Sequence, residues 1–248
     1  MLAAAATLAL INADEYFTGD GTTYTLGDTS AGNCNYMKAL GFASNNYAAL
    51  NDKQWNGLKN CGRCAEYGDL DLSPTVFSSL TGSSPSRYKV KWKFVDCPVQ
   101  GNVNYCLKGD SNNYWTAIQP TNVPTGVTDL QINGKSTKML DGAYYYLLDG
   151  SGQQIADLSS VTVSLTDLSG NSVKDTMSLS SGSCADAGSD SDTNSGRYYF
   201  ANDNAAFFPC DHSTDLAAAR NPFDSNPNNA NRCSYNCANL AAIADERK

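Results

Sequence analysis

Tyr88, Val90, Trp92 and Phe94 alternate with Lys89, Lys91 and Lys93. A period of two predicts a strand with its apolar face on a core and three lysines in water. Leu130 and Ile132 alternate up to Asn133-Gly134, and the chain resumes at Lys135. That dipeptide is the strongest short-range hairpin signal, because both residues accept a positive φ. Val161, Val163 and Leu165 alternate with Thr162, Ser164 and Thr166, then Ser169-Gly170-Asn171 turns the chain into Ser172 to Met177. Short strands at this spacing predict a small β-sandwich over residues 107–182. Residues 14–106 have another texture, rich in Gly, Asn and Cys with few periodic runs. Residues 183–248 form a Ser/Asp/Asn-rich, Cys-containing tail. A small disulfide-stapled module and an extension without fixed structure both fit that tail. It holds His212, the single histidine, read as an exposed loop residue.

Only 17% of the 248 residues are charged and 41% are hydrophobic, which favours β structure joined by turns over helical bundles. The net charge of -8, without basic clusters, argues against nucleic acid or an anionic membrane as partner. A neutral sugar polymer needs no such help. Residues 1–13 resemble a short signal peptide cleaved after Ala13. No other stretch reaches the ~18 apolar residues of a membrane span. The expectation is a secreted, monomeric protein.

Export agrees with nine cysteines: Cys34, Cys61, Cys64, Cys97, Cys106, Cys184, Cys210, Cys233 and Cys237. The odd number leaves one without a partner inside the chain. Cys61-Gly62-Arg63-Cys64 has zinc-ligand spacing, but Cys97 and Cys106 are not a matching second pair, so disulfides are favoured and neither metal nor cofactor is expected. A redox role for the same motif wants a βα context that the pattern lacks.

Two ordered sets of motifs resemble the expansin family. The first runs Gly21-Thr22-Thr23-Tyr24, Gly32-Asn33-Cys34-Asn35-Tyr36, Cys61-Gly62-Arg63-Cys64, Asp69-Leu70-Asp71-Leu72-Ser73-Pro74, Trp92-Lys93-Phe94-Val95 and Gly101-Asn102-Val103. These are similar to the landmarks of the expansin first domain, a six-stranded double-psi β-barrel. The second, from Tyr114-Trp115-Thr116-Ala117-Ile118-Gln119 through Thr166-Asp167 and Lys174-Asp175, is similar to the cellulose-binding second domain. The resemblance implies an all-β fold: a double-psi barrel over 14–106, an immunoglobulin-like β-sandwich over 107–182, and the tail. It also implies a cell-wall location and non-hydrolytic wall loosening, with cellulose or another β-glucan as partner.

By that resemblance Asp71 and Thr23 lie in the barrel groove. Related barrel-fold endoglucanases use the matching aspartate as general acid, and an inverting mechanism needs a second carboxylate as base. After the Thr-x-Tyr landmark this chain has Thr25 and Leu26, with Asp28 displaced toward a turn. The expectation is therefore no catalytic residue, with Asp71 alternatively orienting a loop. An endo-β-1,4-glucanase and a structural or lectin-like wall component are the rival readings.

Only Ala65 to Leu70 separate Cys64 from Asp71, where the family has a longer passage with a barrel strand. Its loss predicts a truncated barrel with open edges, and losing an odd number of cysteines with it would leave nine. Family spacing implies Cys34–Cys61 and Cys64–Cys97, with Cys106 unpaired. In the second domain, Tyr114 and Trp115 match the family's aromatic pair. Side chains alternate along a strand, so both face a sugar only if a turn re-aims one. Alternation adds Tyr144 and Tyr146 to that face, with Tyr145 inside. For each of these aromatics the alternative is an ordinary core residue.

Overall fold

A computed structural model of the chain describes residues 16–66, 70–82, 87–99 and 101–188, with the backbone of 240–242. The protein is mostly β with few helices. In chain order the elements are β1 (Phe17–Thr23), β2 (Tyr47–Leu50), α1 (Asp52–Trp55), β3 (Cys64–Glu66), β4 (Leu70–Leu72), α2 (Pro74–Thr81) and β5 (Tyr88–Val95). They continue with β6 (Asn104–Leu107), β7 (Trp115–Thr121), β8 (Val127–Ile132), β9 (Lys135–Ser136), β10 (Lys138–Met139) and β11 (Tyr146–Asp149). The last are β12 (Val161–Asp167), β13 (Ser172–Met177), β14 (Cys184–Asp186) and β15 (Leu240–Ala242). No helix among the described residues is long and apolar enough to cross a membrane.

Six strands close into a barrel in the order β1-β4-β2-β15-β3-β5. β1 and β5 pair antiparallel, Phe17 opposite Trp92. Trp92 is buried with Leu70, Leu72, Ala48, Leu50 and Ala65, and the rings of Phe17 and Phe94 lie 4.6 and 5.0 Å from it. α2 starts where Ser73 accepts a hydrogen bond from the Val76 amide (3.3 Å), with Pro74 next in the first turn. It stops at Gly82, whose φ of 67° is the left-handed conformation that glycine accepts freely. The barrel was expected to be left with open edges by the short passage after Cys64. Instead β15, from the tail, lies between β2 and β3.

The remaining strands form a five-stranded sheet, β10-β11-β7-β6-β14, and a four-stranded sheet, β13-β12-β8-β9. Their inner faces share one core, with Ile118 and Tyr105 from the first sheet and Leu130, Ile132, Val161, Val163 and Leu165 from the second. The Asn133-Gly134 hairpin forms with φ of 51° and 71°, the two positive values of a type I′ turn. These sheets reach beyond 107–182: β6 starts at Asn104, and β14 ends at Asp186.

Cys34 is bonded to Cys61 and Cys64 to Cys97, the pairs that family spacing implies. The two sulfurs of Cys61-Gly62-Arg63-Cys64 thus belong to different disulfides. Cys106, expected to be unpaired, is bonded to Cys184. The reason is β14, which lies antiparallel to β6 with Cys184 opposite Cys106. The bridges span 27, 33 and 78 residues, each worth roughly 3–4.5 kcal/mol by chain entropy. Residues 1–13, expected to be a signal peptide, and His212, Cys210, Cys233 and Cys237 lie outside the described residues.

Asp175 places a carboxylate in this core with one oxygen left over. Asp175 accepts a hydrogen bond from the Tyr105 hydroxyl at 2.9 Å, while its Oδ1 is buried with no partner among the described residues. Burial pushes its pKa up, against the opposing pull of the Tyr105 hydrogen bond. A carboxyl raised on folding contributes stability that is fully present below the unfolded value and lost as pH rises through the folded one. Asp175→Asn keeps an acceptor for Tyr105 without the charge. It should raise stability at pH 7 more than at pH 4, as urea unfolding at the two pH values would show.

Candidate functional site

The outer face of the five-stranded sheet carries the first candidate surface. Along β7, Thr116 and Ile118 are buried on the inner side, and Trp115, Ala117 and Gln119 alternate onto the other. Trp115 is partly exposed and packs beside Ala117, Leu147, Tyr145, Leu140 and Met37. Tyr114 stands one residue before the strand, in a turn built by Asn112. The Asn112 Oδ1 accepts hydrogen bonds from the amides of Tyr114 (2.9 Å) and Trp115 (3.2 Å), and its carbonyl accepts one from the Thr116 hydroxyl (3.0 Å). Strand alternation therefore does not bind Tyr114, which is 50% exposed. The turn is held from behind, where the Gly150 amide donates to the Tyr114 carbonyl at 2.9 Å. A Cβ at Gly150 would meet the Gln153 carbonyl oxygen at 2.1 Å, so only glycine fits that approach.

Tyr144 and Tyr146 do not join this surface. They are 2% and 7% exposed, in the shared core, with ring centroids 5.8 Å apart. The Tyr146 hydroxyl donates to the Val127 carbonyl (3.3 Å), and Tyr144 stacks at a tilt on Tyr36. Burial pushes both hydroxyls well above their ordinary pKa. The physical reason is register: Tyr146 lies opposite Ile118, an inward residue of β7. Tyr145, expected inside, belongs to the outer-face cluster with Leu147 but is covered, its hydroxyl 3.4 Å from the Asn35 carbonyl and its pKa pushed up to about 12 by burial. The covering segment is pinned by Gln119, whose Nε2 donates to the carbonyls of Cys34 (3.2 Å) and Asn35 (3.0 Å) and whose Oε1 accepts from the Met37 amide (2.9 Å). In the sequence Gln119 stands only as the last residue of the Tyr114-to-Gln119 motif. Its place on the face of Trp115, inside a polar-apolar strand pattern, was the available signal.

The second candidate surface is on the barrel. Asp71 sits at the middle of β4, opposite Thr22 of β1 and Ala49 of β2. Leu70 and Leu72 point into the barrel core, so Asp71 alternates to the other side and is partly exposed. The Thr23 hydroxyl donates to the Leu72 carbonyl at 3.1 Å, fixing the two candidate groove residues to adjacent strands. Ser73 then ties the end of β4 to the Asn45 carbonyl (2.6 Å). Asp28 is occupied elsewhere: it caps the short 3-10 turn Thr29–Ala31, accepting from the Ser30 amide at 2.9 Å, which holds its pKa below the usual carboxylate range. Thr25 is exposed, and the Leu26 amide donates to the Tyr47 hydroxyl (3.0 Å).

A cleft of roughly 410 Å³ is lined by Asn33, Trp55 and Leu58 together with Met139, Leu140 and Asp141. Leu140 also packs in the Trp115 cluster, so cleft and aromatic edge share a wall. The Cys61–Cys64 segment leads into β3. Gly62, at φ 77°, leaves no room for a Cβ, which would lie 2.0 Å from the Tyr36 hydroxyl. Arg63 places its guanidinium 3.5 Å over the Phe94 ring, and burial lowers its pKa to about 10.

No family model matches the chain. It is 32% identical over 115 residues to Expansin-YoaJ of Bacillus subtilis, an alignment covering 44% of this chain and 47% of that protein. With Expansin-like protein 1 of Dictyostelium discoideum it shares 31% identity over 159 residues, covering 50% of this chain and 55% of the relative. Over these stretches the chain is similar to expansins. The alignments span about half the length of these curated relatives. The fold extends further: the crystal structure of apo Clavibacter michiganensis expansin matches 69% of this chain and 96% of its own, with a TM-score of 0.60 and 21% identity. An aspartate-to-asparagine mutant of that expansin, in complex with cellohexaose, matches 71% of this chain and 97% of its own at TM-score 0.59 and 20% identity. At such identities the likeness establishes the fold.

Proposed function

We propose that this chain is an expansin-like, secreted protein that grips β-1,4-glucan of a cell wall and does not hydrolyse it. The observation that carries the reading is the Tyr114-Trp115 edge. One ring is half exposed on a rigid turn and the next partly exposed on a strand, in an otherwise polar Ser111-Asn112-Asn113 setting. Pyranose rings present flat C–H faces, and exposed aromatic rings match them by removing apolar area from both partners. In this reading the two packed sheets are the family's immunoglobulin-like binding domain. The barrel is its double-psi domain, with Asp71 and Thr23 in a groove that contacts the sugar chain. A solved neighbour of this fold was crystallised with cellohexaose, which supports the ligand class. Three disulfides in the described residues fit an oxidising, extracellular setting.

The non-hydrolytic half rests on Asp28. Inverting hydrolysis separates an acid and a base by ~6.5–9.5 Å across the scissile bond. Asp28, the carboxylate nearest in sequence to the base position, is spent on capping a turn. The experiment is prolonged incubation with soluble β-glucan and with insoluble cellulose. Cellulose should deplete the chain from solution while reducing ends stay at the level of a boiled control. Release of reducing ends that Asp71→Asn abolishes would make the protein an endoglucanase and overturn this half.

A further inference from the structure

β2 and β3 do not bond each other in the barrel; residues 240–242 lie between them. Ala241 and Ala242 run parallel to β2, opposite Tyr47 and Ala48, while Leu240 and Ala241 run antiparallel to β3, opposite Ala65 and Cys64. All other pairings of this barrel run β3-β5-β1-β4-β2. Without β15 the sheet would therefore be open, with β2 and β3 as its edges. We propose that the gap between β2 and β3 is a strand-acceptor site, filled by the chain's own residues 240–242 and able to take the same segment in trans.

Burial of the two edges supports this. Every residue of β2 is buried, as are Cys64 and Ala65 of β3. Backbone N–H and C=O groups so far from water require partners, and the incoming backbone supplies them on both sides at once. The flanking residues Ala48, Ala49 and Ala65 are small, and two of the three donor residues, Ala241 and Ala242, are alanines. Recognition by strand addition rests on main-chain hydrogen bonds more than on side chains. This explains how a segment without any two-residue period serves as a strand. Residues 189–239 separate the donor from β14 in the sequence, and closure of so long a connection costs only slowly more with length. Its effective concentration at the gap is correspondingly limited, so the donor can be exchanged for the same segment added in trans. Asp71 feels the site through β2, because Ala49 lies opposite it.

The test is hydrogen exchange on the full chain with and without Ala241→Pro, which removes a ladder donor at the centre of the inserted strand. Amides of residues 47–50 and 64–66 should exchange at least tenfold faster in the variant, with β12 and β13 unchanged. A synthetic peptide of residues 238–248 at millimolar concentration should restore their protection. If Ala241→Pro fails to fold, Ala241→Gly carries the same comparison with a several-fold change confined to those amides. Equal exchange at 47–50 and 64–66 in wild type and a folded variant, or no recovery with the peptide, would overturn the proposal.

Discussion

Trp115→Ala weakens binding of the full chain to insoluble cellulose about tenfold or more. A Trp ring that loses on the order of 60–80 Å² of apolar surface to a sugar face gains about 1.5–2 kcal/mol at ~25 cal/mol per Å². Each 1.4 kcal/mol is a factor of about ten in affinity. The effect should be nearly independent of salt, because the contact is between neutral surfaces. Depletion isotherms at low and high salt, after circular dichroism shows both proteins folded, check the size and the salt dependence together. Tyr114→Ala acts on the neighbouring ring, so its effect need not add independently to that of Trp115→Ala.

Tyr146→Ala has the opposite signature: it costs about 3–5 kcal/mol of stability, the range for emptying a large aromatic site in a core. Its ring is buried beside Tyr144, and its hydroxyl bonds the Val127 carbonyl across the two sheets. Tyr146→Phe keeps the ring and loses one hydrogen bond, at a cost of about 1 kcal/mol. Folded Tyr146→Phe should therefore bind cellulose like the wild type while unfolding at lower urea. Reduced binding by a fully folded Tyr146→Phe protein would return this tyrosine to the sugar-contacting surface.

Strands with one covered and one wet face were legible in the sequence. Val161, Val163 and Leu165 disclose their strand because one face is covered and the other is wet. Asn133-Gly134 discloses its hairpin through local backbone chemistry alone. Tyr144 to Tyr146 are a different case. Alternation sorts Tyr145 and Tyr146 onto two faces, but both faces of β11 are covered here, one by the second sheet and one by the segment around Asn35. Which face meets solvent is a tertiary fact, and no run of aromatics encodes it. Cys106 was unreadable for a similar reason, since its bond to Cys184 follows from β14 lying on β6, across a separation of 78 residues. The barrel's sixth strand is the extreme case. Leu240-Ala241-Ala242 has no period, no β-branched residue and no turn signal, and becomes a strand only because two buried edges need a partner. Tyr114 was half readable: its exposure depends on the Asn112 turn, and an Asn two residues before an aromatic is a weak signal by itself.

The most direct test of glucan binding through the Tyr114-Trp115 edge is one depletion isotherm on insoluble cellulose. It compares the wild-type chain with the Tyr114→Ala/Trp115→Ala double variant, each shown to be folded and carrying its disulfides. The wild type should bind saturably, and the double variant should need at least about tenfold more protein for the same coverage, by the ring-stacking energies above. Superimposable isotherms from two folded proteins would contradict the account and place the binding face elsewhere on the molecule.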